Sequence, residues 1–415
     1  MTDYTKFFSA TAGAMRESAI RQMGTVLAQA TDIVSFAPGY PAEDEFPWRA
    51  FAEIAAGLLG GADGSVLQYG PTRGYMPLRE AVAGLMADRD VRTTAEHVMI
   101  TSGSQQGLDL VARVLLGPGD VALLELPSYT GAITAFRAVG ASLVGVRQAE
   151  DGIDLEDLDR VFAKVTGEGR RVKFVYVVPN FQNPSGALLR LEKRRRLLEW
   201  VNRHDVLLVE DDPYRDVFFE DTTTVGETRP IAADDADGRV VYLSSFSKTL
   251  APGFRVAWIV APAPLLNKFE MAKQAGDLCT GGLDQRVVYE ACRRGILAEQ
   301  LPRLRAHYQR KRDVMSAALA RRLNGDVTWA APRGGFFLWL RLRDPLRSDV
   351  LLPAARAHGV IFVTGSAFFV NGEGHEFLRL SFSAPAPDRI ETGVERLAAA
   401  VGEVAATADV DLAQP

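Results

Sequence analysis

Short, almost unbroken apolar runs recur along the chain at 98–101, 121–125, 143–146, 173–178, 206–210, 240–244 and 256–260. Runs this short, with little polar alternation, predict strands covered on both faces. Between most of them the apolar spacing becomes helical, as at 106–116 and 191–204. Strand alternating with helix predicts an α/β fold with a mostly parallel, seven-stranded sheet. From 299 a long charged helix carries Leu304, Tyr308, Val314, Met315 and Leu319 towards Leu323. The pattern beyond it is that of a smaller α+β unit, whose clearest strands are expected at 335–342 and 377–382.

These patterns divide the chain into an N-terminal segment (1–47) joining the smaller unit and lining a site, a large unit (48–298), a small unit (299–402) and a disordered small, acidic tail (403–415). No internal repeat interrupts this plan. The net charge of -5 opposes a nucleic-acid footprint, which needs a basic stripe. The cluster Glu192-Lys193-Arg194-Arg195-Arg196 sits beside Leu191, Leu197, Leu198 and Trp200 and reads as the solvated face of a helix. Cys279 and Cys292 have no paired spacing, and the five histidines have no metal-ligand spacing, so no metal is expected. No run approaches the length of a membrane span, and residues 1–6 lack a basic segment leading into an apolar one. A cytoplasmic protein with no membrane partner is expected.

Ligand groups in open α/β sheets collect at the carboxyl ends of strands, and the chemically marked strings fall there. The most informative is Ser244-Ser245-Phe246-Ser247-Lys248-Thr249-Leu250-Ala251-Pro252-Gly253-Phe254-Arg255. A lysine directly after an apolar strand is costly unless it is paired or neutralised. Condensation of that amine with an aldehyde turns the placement to use, while the hydroxyls and the arginine collect a phosphate. Together these point to pyridoxal 5'-phosphate. After 98–101 comes Ser102-Gly103-Ser104-Gln105-Gln106-Gly107, a helix start able to hold a phosphate, although a serine N-cap needs no ligand. After 173–178 comes Pro179-Asn180-Phe181-Gln182-Asn183-Pro184-Ser185-Gly186, part turn punctuation and part an excess of amides. After 206–210 come Asp211, Asp212, Pro213 and Tyr214, so that three carboxylates including Glu210 crowd one strand end and need a nearby positive charge or a solvated loop.

In this order the strings resemble the fold type I pyridoxal-phosphate enzymes, specifically the aminotransferase class I/II family, from about 36 to 382. The resemblance implies that Lys248 forms a Schiff base with the cofactor and moves a proton, and that Asp211 faces the pyridine nitrogen. Such an ion pair at about 4 Å is worth about 4 kcal/mol at an effective dielectric of 20. It implies that Asn183 and Tyr214 bond the ring oxygen and that Tyr129 stacks on the ring. Ser104, Gln105, Ser245, Ser247 and Arg255 would hold the phosphate, with Tyr69 reaching across from the second subunit of a homodimer. Arg379 would grip the substrate α-carboxylate, with Asn183 beside it. An ion pair with a protein carboxylate is the other reading of a strand arginine. Gly39 would let the backbone approach the substrate.

The strings Ser18-Ala19-Ile20-Arg21, 67–74 and 334–339 resemble the 2-aminoadipate and kynurenine aminotransferase branch, where the arginine matching Arg21 can meet a distal acidic group; an ordinary exposed helix arginine is equally compatible. The implied activity is ping-pong transfer of an amino group from an α-amino acid to a 2-oxo acid. Candidate donors are 2-aminoadipate, glutamate, aromatic and branched-chain amino acids. Decarboxylation, elimination or oxidation on the same scaffold is the alternative. A non-enzymatic regulator carrying a winged helix is disfavoured, because the pattern begins within the first few dozen residues.

Overall fold

The computed structural model describes residues 2–9, 12 and 32–412. Strand β1 (Val34–Ser35) lies outside the main sheet, which follows from β2 (Val98–Ser102), β3 (Val121–Leu126), β4 (Ser142–Ala149), β5 (Gly152–Ile153), β6 (Val172–Val177), β7 (Leu207–Asp211), β8 (Val240–Ser245) and β9 (Val256–Val260). Its order is β2-β9-β8-β7-β6-β3-β4-β5. The stretch from β8 to β4 is parallel, β9 runs antiparallel to both of its neighbours, and β5 is antiparallel to β4. The seven expected strands are all present, and the two-residue β5 adds an eighth at the edge.

Strand alternation sorts the apolar side chains into two cores, one on each face. Ala122, Leu124, Phe174, Tyr176, Val209, Val241 and Leu243 belong to one cluster. Their chain neighbours Val121, Leu123, Val175, Val177, Leu208, Val240 and Tyr242 belong to the other. Full burial of one such side chain is worth about 1.5–3 kcal/mol.

The smaller sheet is antiparallel, built from β10 (Val327–Trp329), β11 (Phe337–Leu342), β13 (Val363–Thr364) and β14 (Phe377–Ser381) in the order β10-β11-β14-β13. β12 (Val360–Ile361) pairs in parallel with β1. Phe36 O accepts from Ser381 N, and the Tyr308 hydroxyl accepts from Ala42 N. Residues 34–42 are thereby stitched to the small sheet and to the long helix Ile296–Arg322.

Two expectations are corrected. Arg194 is not on a solvated face: it is 2% exposed. It shares a helix face with Leu197, Leu198 and Val201, three, four and seven positions on. Its guanidinium donates to the carbonyls of Leu189, Pro179 and Arg229 and to Asn180 Oδ1. The tail is not irregular from 403, because the last helix runs Pro387–Leu412. The alanine-rich stretch 405–408 favours helix strongly enough to carry it on.

Candidate active site

A cavity of about 640 Å³ opens at the carboxyl ends of the central strands. Gly39, Ser104, Gln105, Tyr129, Asn183, Asp211, Tyr214, Ser245, Ser247, Lys248, Arg255 and Arg379 all line it. Of the expected site residues, Tyr69 does not; it is 80% exposed on a loop. Arg21 lies outside the described residues.

Lys248 ends a short 3-10 turn (Phe246–Lys248) directly after β8, and Ser245 caps that turn by accepting from Ser247 N. Its Nζ donates to Gly39 O at 2.9 Å. Burial, with Arg379 and Arg255 nearby, pushes its pKa down to about 8. Gly39 is there for close approach: a Cβ would stand 2.6 Å from the Phe337 ring.

The three carboxylates at the end of β7 separate by strand parity. Glu210 accepts from the amides of Ile231 and Ala232, and Asp212 accepts from Asn180 and the Tyr242 hydroxyl. Only Asp211, in phase with Val209, lines the cavity. Its Oδ2 accepts from the Tyr176 hydroxyl at 2.8 Å, while its Oδ1 is buried with no hydrogen-bond partner among the described residues. Burial pushes its pKa up to about 7 against the opposing Tyr176 bond, with a further push from Asp212. Tyr214 bonds the Asn183 side chain, and burial holds its hydroxyl protonated.

Gly103, at φ +82°, starts the helix Ser104–Leu115. A Cβ there would lie 2.1 Å from Arg255 Nη2. Arg255 itself takes a left-handed φ of 51° and, among the described residues, donates to the carbonyls of Pro252 and Ser102. Ser104 Oγ is buried without a partner among the described residues, and Gln105 Nε2 donates to Gly131 O. Ser245 Oγ and Ser247 Oγ are 2.7 Å apart. This side of the cavity offers hydroxyls, an amide and a guanidinium that has no carboxylate partner among the described residues.

Arg379 leans on the Phe337 and Phe368 rings, at 4.2 and 5.2 Å. It donates to Asn183 Oδ1 at 2.7 Å and to Ala37 O, and its Nε has no partner among the described residues. No carboxylate pairs with it among the described residues, so the structural ion pair is not what holds it. Burial lowers its pKa to about 10, leaving it charged at neutral pH.

Sequence reasoning missed Tyr176, Phe337, Thr134 and Gly131. Tyr176 and Phe337 sit inside strands and read as core. Thr134 and Gly131 sit on the helix Thr130–Ala138 without a strand-end signal. It also missed the grouping of Asp44 and Glu45 with His307, whose Nδ1 lies 2.9 Å from Glu45 Oε1.

The family profile "Aminotransferase class I and II" matches residues 12–397. The aromatic-amino-acid aminotransferase 1 of Thermococcus litoralis is 38% identical over 97% of this chain and 95% of its own length. The 2-aminoadipate transaminase of Thermus thermophilus is 41% identical over 96% and 97%. The solved alpha-aminoadipate aminotransferase LysN of Thermus thermophilus, complexed with N-(5'-phosphopyridoxyl)-L-leucine, is 39% identical, covers 98% of this chain and 100% of that one, and superposes with a TM-score of 0.89. With a matching profile over nearly the whole length, near-complete coverage by these relatives and one cavity holding the marked residues, the chain belongs to the aminotransferase class I and II family.

Proposed function

We propose that the chain is a pyridoxal 5'-phosphate-dependent aminotransferase that takes the amino group of an α-amino acid and passes it to a 2-oxo acid. The observation that carries this reading is the pairing of Lys248 with a buried Arg379, without a carboxylate partner among the described residues, on one cavity. The residues suit the cofactor. Asp211 Oδ1, an unpartnered buried acceptor, matches a protonated ring nitrogen, and the unpartnered Ser104 Oγ matches a phosphate oxygen.

Asp211, Asn183, Tyr214 and Tyr129 would hold the ring, and Ser104, Gln105, Ser245, Ser247 and Arg255 the phosphate. The bound cofactor supplies a carbonyl for Lys248 and an electron sink for the substrate Cα. Lys248 Nζ, with its pKa near 8, can hold or release a proton close to neutral pH, as a base acting at Cα must. Arg379 binds the substrate α-carboxylate through its open edge, while Asn183 and Ala37 O fix the guanidinium plane. Gly39 lets the main chain come close to Lys248 and to the bound substrate. Tyr214, kept protonated, donates from a fixed direction.

On this reading 48–298 is the cofactor-binding unit, 299–402 the smaller unit, and 1–47 the segment joining them at the site. A homodimer completes it. Tyr69 and Leu67, 80% and 75% exposed, support a loop that reaches a second copy rather than its own cavity. The free cysteines Cys279 and Cys292 suit a reducing compartment such as the cytoplasm. Aromatic and 2-aminoadipate donors are the first to test, given the names of the similar proteins, with glutamate and branched-chain donors beside them. Arg21 is the candidate reader of a distal carboxylate.

Lys248→Ala should abolish turnover and the visible absorption band of the cofactor-loaded protein. Full transamination by that variant would sink the assignment. With amino donor alone, pyridoxamine phosphate should accumulate stoichiometrically, which a decarboxylase or lyase would not produce. Arg21→Ala should slow half-reactions with 2-aminoadipate and glutamate far more than with leucine, and an equal loss on all donors would remove Arg21 from the site.

A further inference from the structure

Tyr176 is fully buried in β6, and its hydroxyl donates to Asp211 Oδ2 at 2.8 Å. Sheet geometry sets that meeting. β6 and β7 are parallel, with Tyr176 opposite Val209. Asp211 is the next position on the same face of β7, within reach of a long side chain. The Phe136 ring meets Tyr176 edge-on, 5.5 Å away at 80°, and Phe136 packs likewise on Phe174. The phenol is thereby held in one orientation.

A carboxylate with one oxygen tied and one buried without a partner is an incomplete arrangement. A lone Asp211 could rotate about its terminal torsion and offer either oxygen. The phenol removes that freedom. Burial and the Asp211 charge raise the Tyr176 pKa well above its ordinary value, so the hydroxyl stays a donor throughout the working range. The other titratable groups acting on the pair are Asp212, Glu125, Tyr129 and Tyr214.

We infer that Tyr176 is a positioning residue: it pins Asp211 Oδ2 so that Oδ1 alone is presented to the cofactor ring nitrogen, and it limits how strongly the carboxylate competes for the shared proton. The inference rests on the function proposed above.

The test is a double-mutant cycle of Tyr176→Phe with Asp211→Asn, read on the affinity of the cofactor-free protein for pyridoxal 5'-phosphate. Phenylalanine keeps the packing on Phe136. Tyr176→Phe should weaken cofactor binding about tenfold, the effect of about 1.4 kcal/mol, and should cost nothing further in the Asp211→Asn background. In the loaded protein, the pH midpoint of the Lys248-dependent visible band should move up, because a more basic Asp211 draws the shared proton towards itself. Replacing Tyr176 with 3-fluorotyrosine, which keeps the shape and strengthens the donor, should move the midpoint down. It supplies the reading even if the phenylalanine variant folds poorly. An equal loss of affinity in both backgrounds would reduce Tyr176 to packing, and an unmoved midpoint in both variants would overturn its action on Asp211. Failure of the unaltered protein to bind the cofactor would instead strike the underlying function and leave this assignment aside.

Discussion

Arg379 carries a charge into a place where none of the described residues gives it a counter-charge. Two of its three nitrogens are spent on neutral oxygens, from Asn183 and Ala37, and its faces lie against Phe337 and Phe368. Burying a cation this way is costly, and a ligand carboxylate gripped along a flat edge offsets that cost. Lysine could carry the charge but not the fork. Arg379→Lys is expected to raise KM for the amino donor about tenfold or more while leaving the cofactor's absorption unchanged. Steady-state kinetics beside an absorption spectrum checks both, and a loss of cofactor without a change in KM would contradict it.

Lysine in an apolar setting was legible at once, because its cost has so few structural remedies. Tyr176 was not legible, since a buried tyrosine in a strand is ordinary core until the register across the sheet is known. Arg194 misled for the opposite reason. It stood within a charged run, and only its phase with Leu197, Leu198 and Val201 shows that it points inward.

Among elements, the strand ends do the assembling. The sequence pattern located them, because continuous apolar runs followed by polar strings are visible without any structure. It did not reveal which of Glu210, Asp211 and Asp212 faces the cavity, which follows from alternation once Val209 is assigned to one core and Leu208 to the other. Nor did it show the small sheet lending Phe337 to the wall. The turn from β2 into the helix Ser104–Leu115 takes a single residue, Gly103. Gly103 has a positive φ and lies against the Arg255 guanidinium. Gly103→Ala should therefore displace Arg255, cost about 1 kcal/mol or more of stability through backbone strain and weaken phosphate-dependent cofactor retention. Thermal melting together with dialysis against phosphate-free buffer checks it; an alanine variant that holds the cofactor as tightly would show that the turn tolerates a methyl group.

For the whole molecule, buried carboxyls set the response of the cofactor-free protein to pH. Burial pushes both Glu125 and Asp211 up to about 7. A carboxyl whose pKa is higher folded than unfolded binds more protons when folded, so stability falls as pH rises between the two values. The window runs from about 4, the ordinary carboxyl value, to about 7. Carboxylates held low, such as Asp216 and Asp221, add stability only up to their ordinary pKa and leave this window flat. The unfolding free energy of the cofactor-free protein should thus decline from pH 5 towards neutrality by a total on the order of a few kcal/mol, and its melting temperature should fall with it. Glu125→Gln should flatten the decline. Cofactor should flatten it too, since a cation at Asp211 favours the charged form. A melting profile that rises across the same range would contradict the argument.

The contact of Gly39 with Phe337 has a consequence for anyone reshaping this enzyme. One residue belongs to the segment stitched to the small sheet and the other to β11, nearly three hundred positions apart in the chain, yet a Cβ at the first would meet the ring of the second and force one of them to shift. In a combinatorial library the two must be randomised together, as a single compound site. Varied separately, position 39 would be tested only against an unaltered ring, and the double replacements that trade bulk from one wall of the cavity to the other would never be sampled.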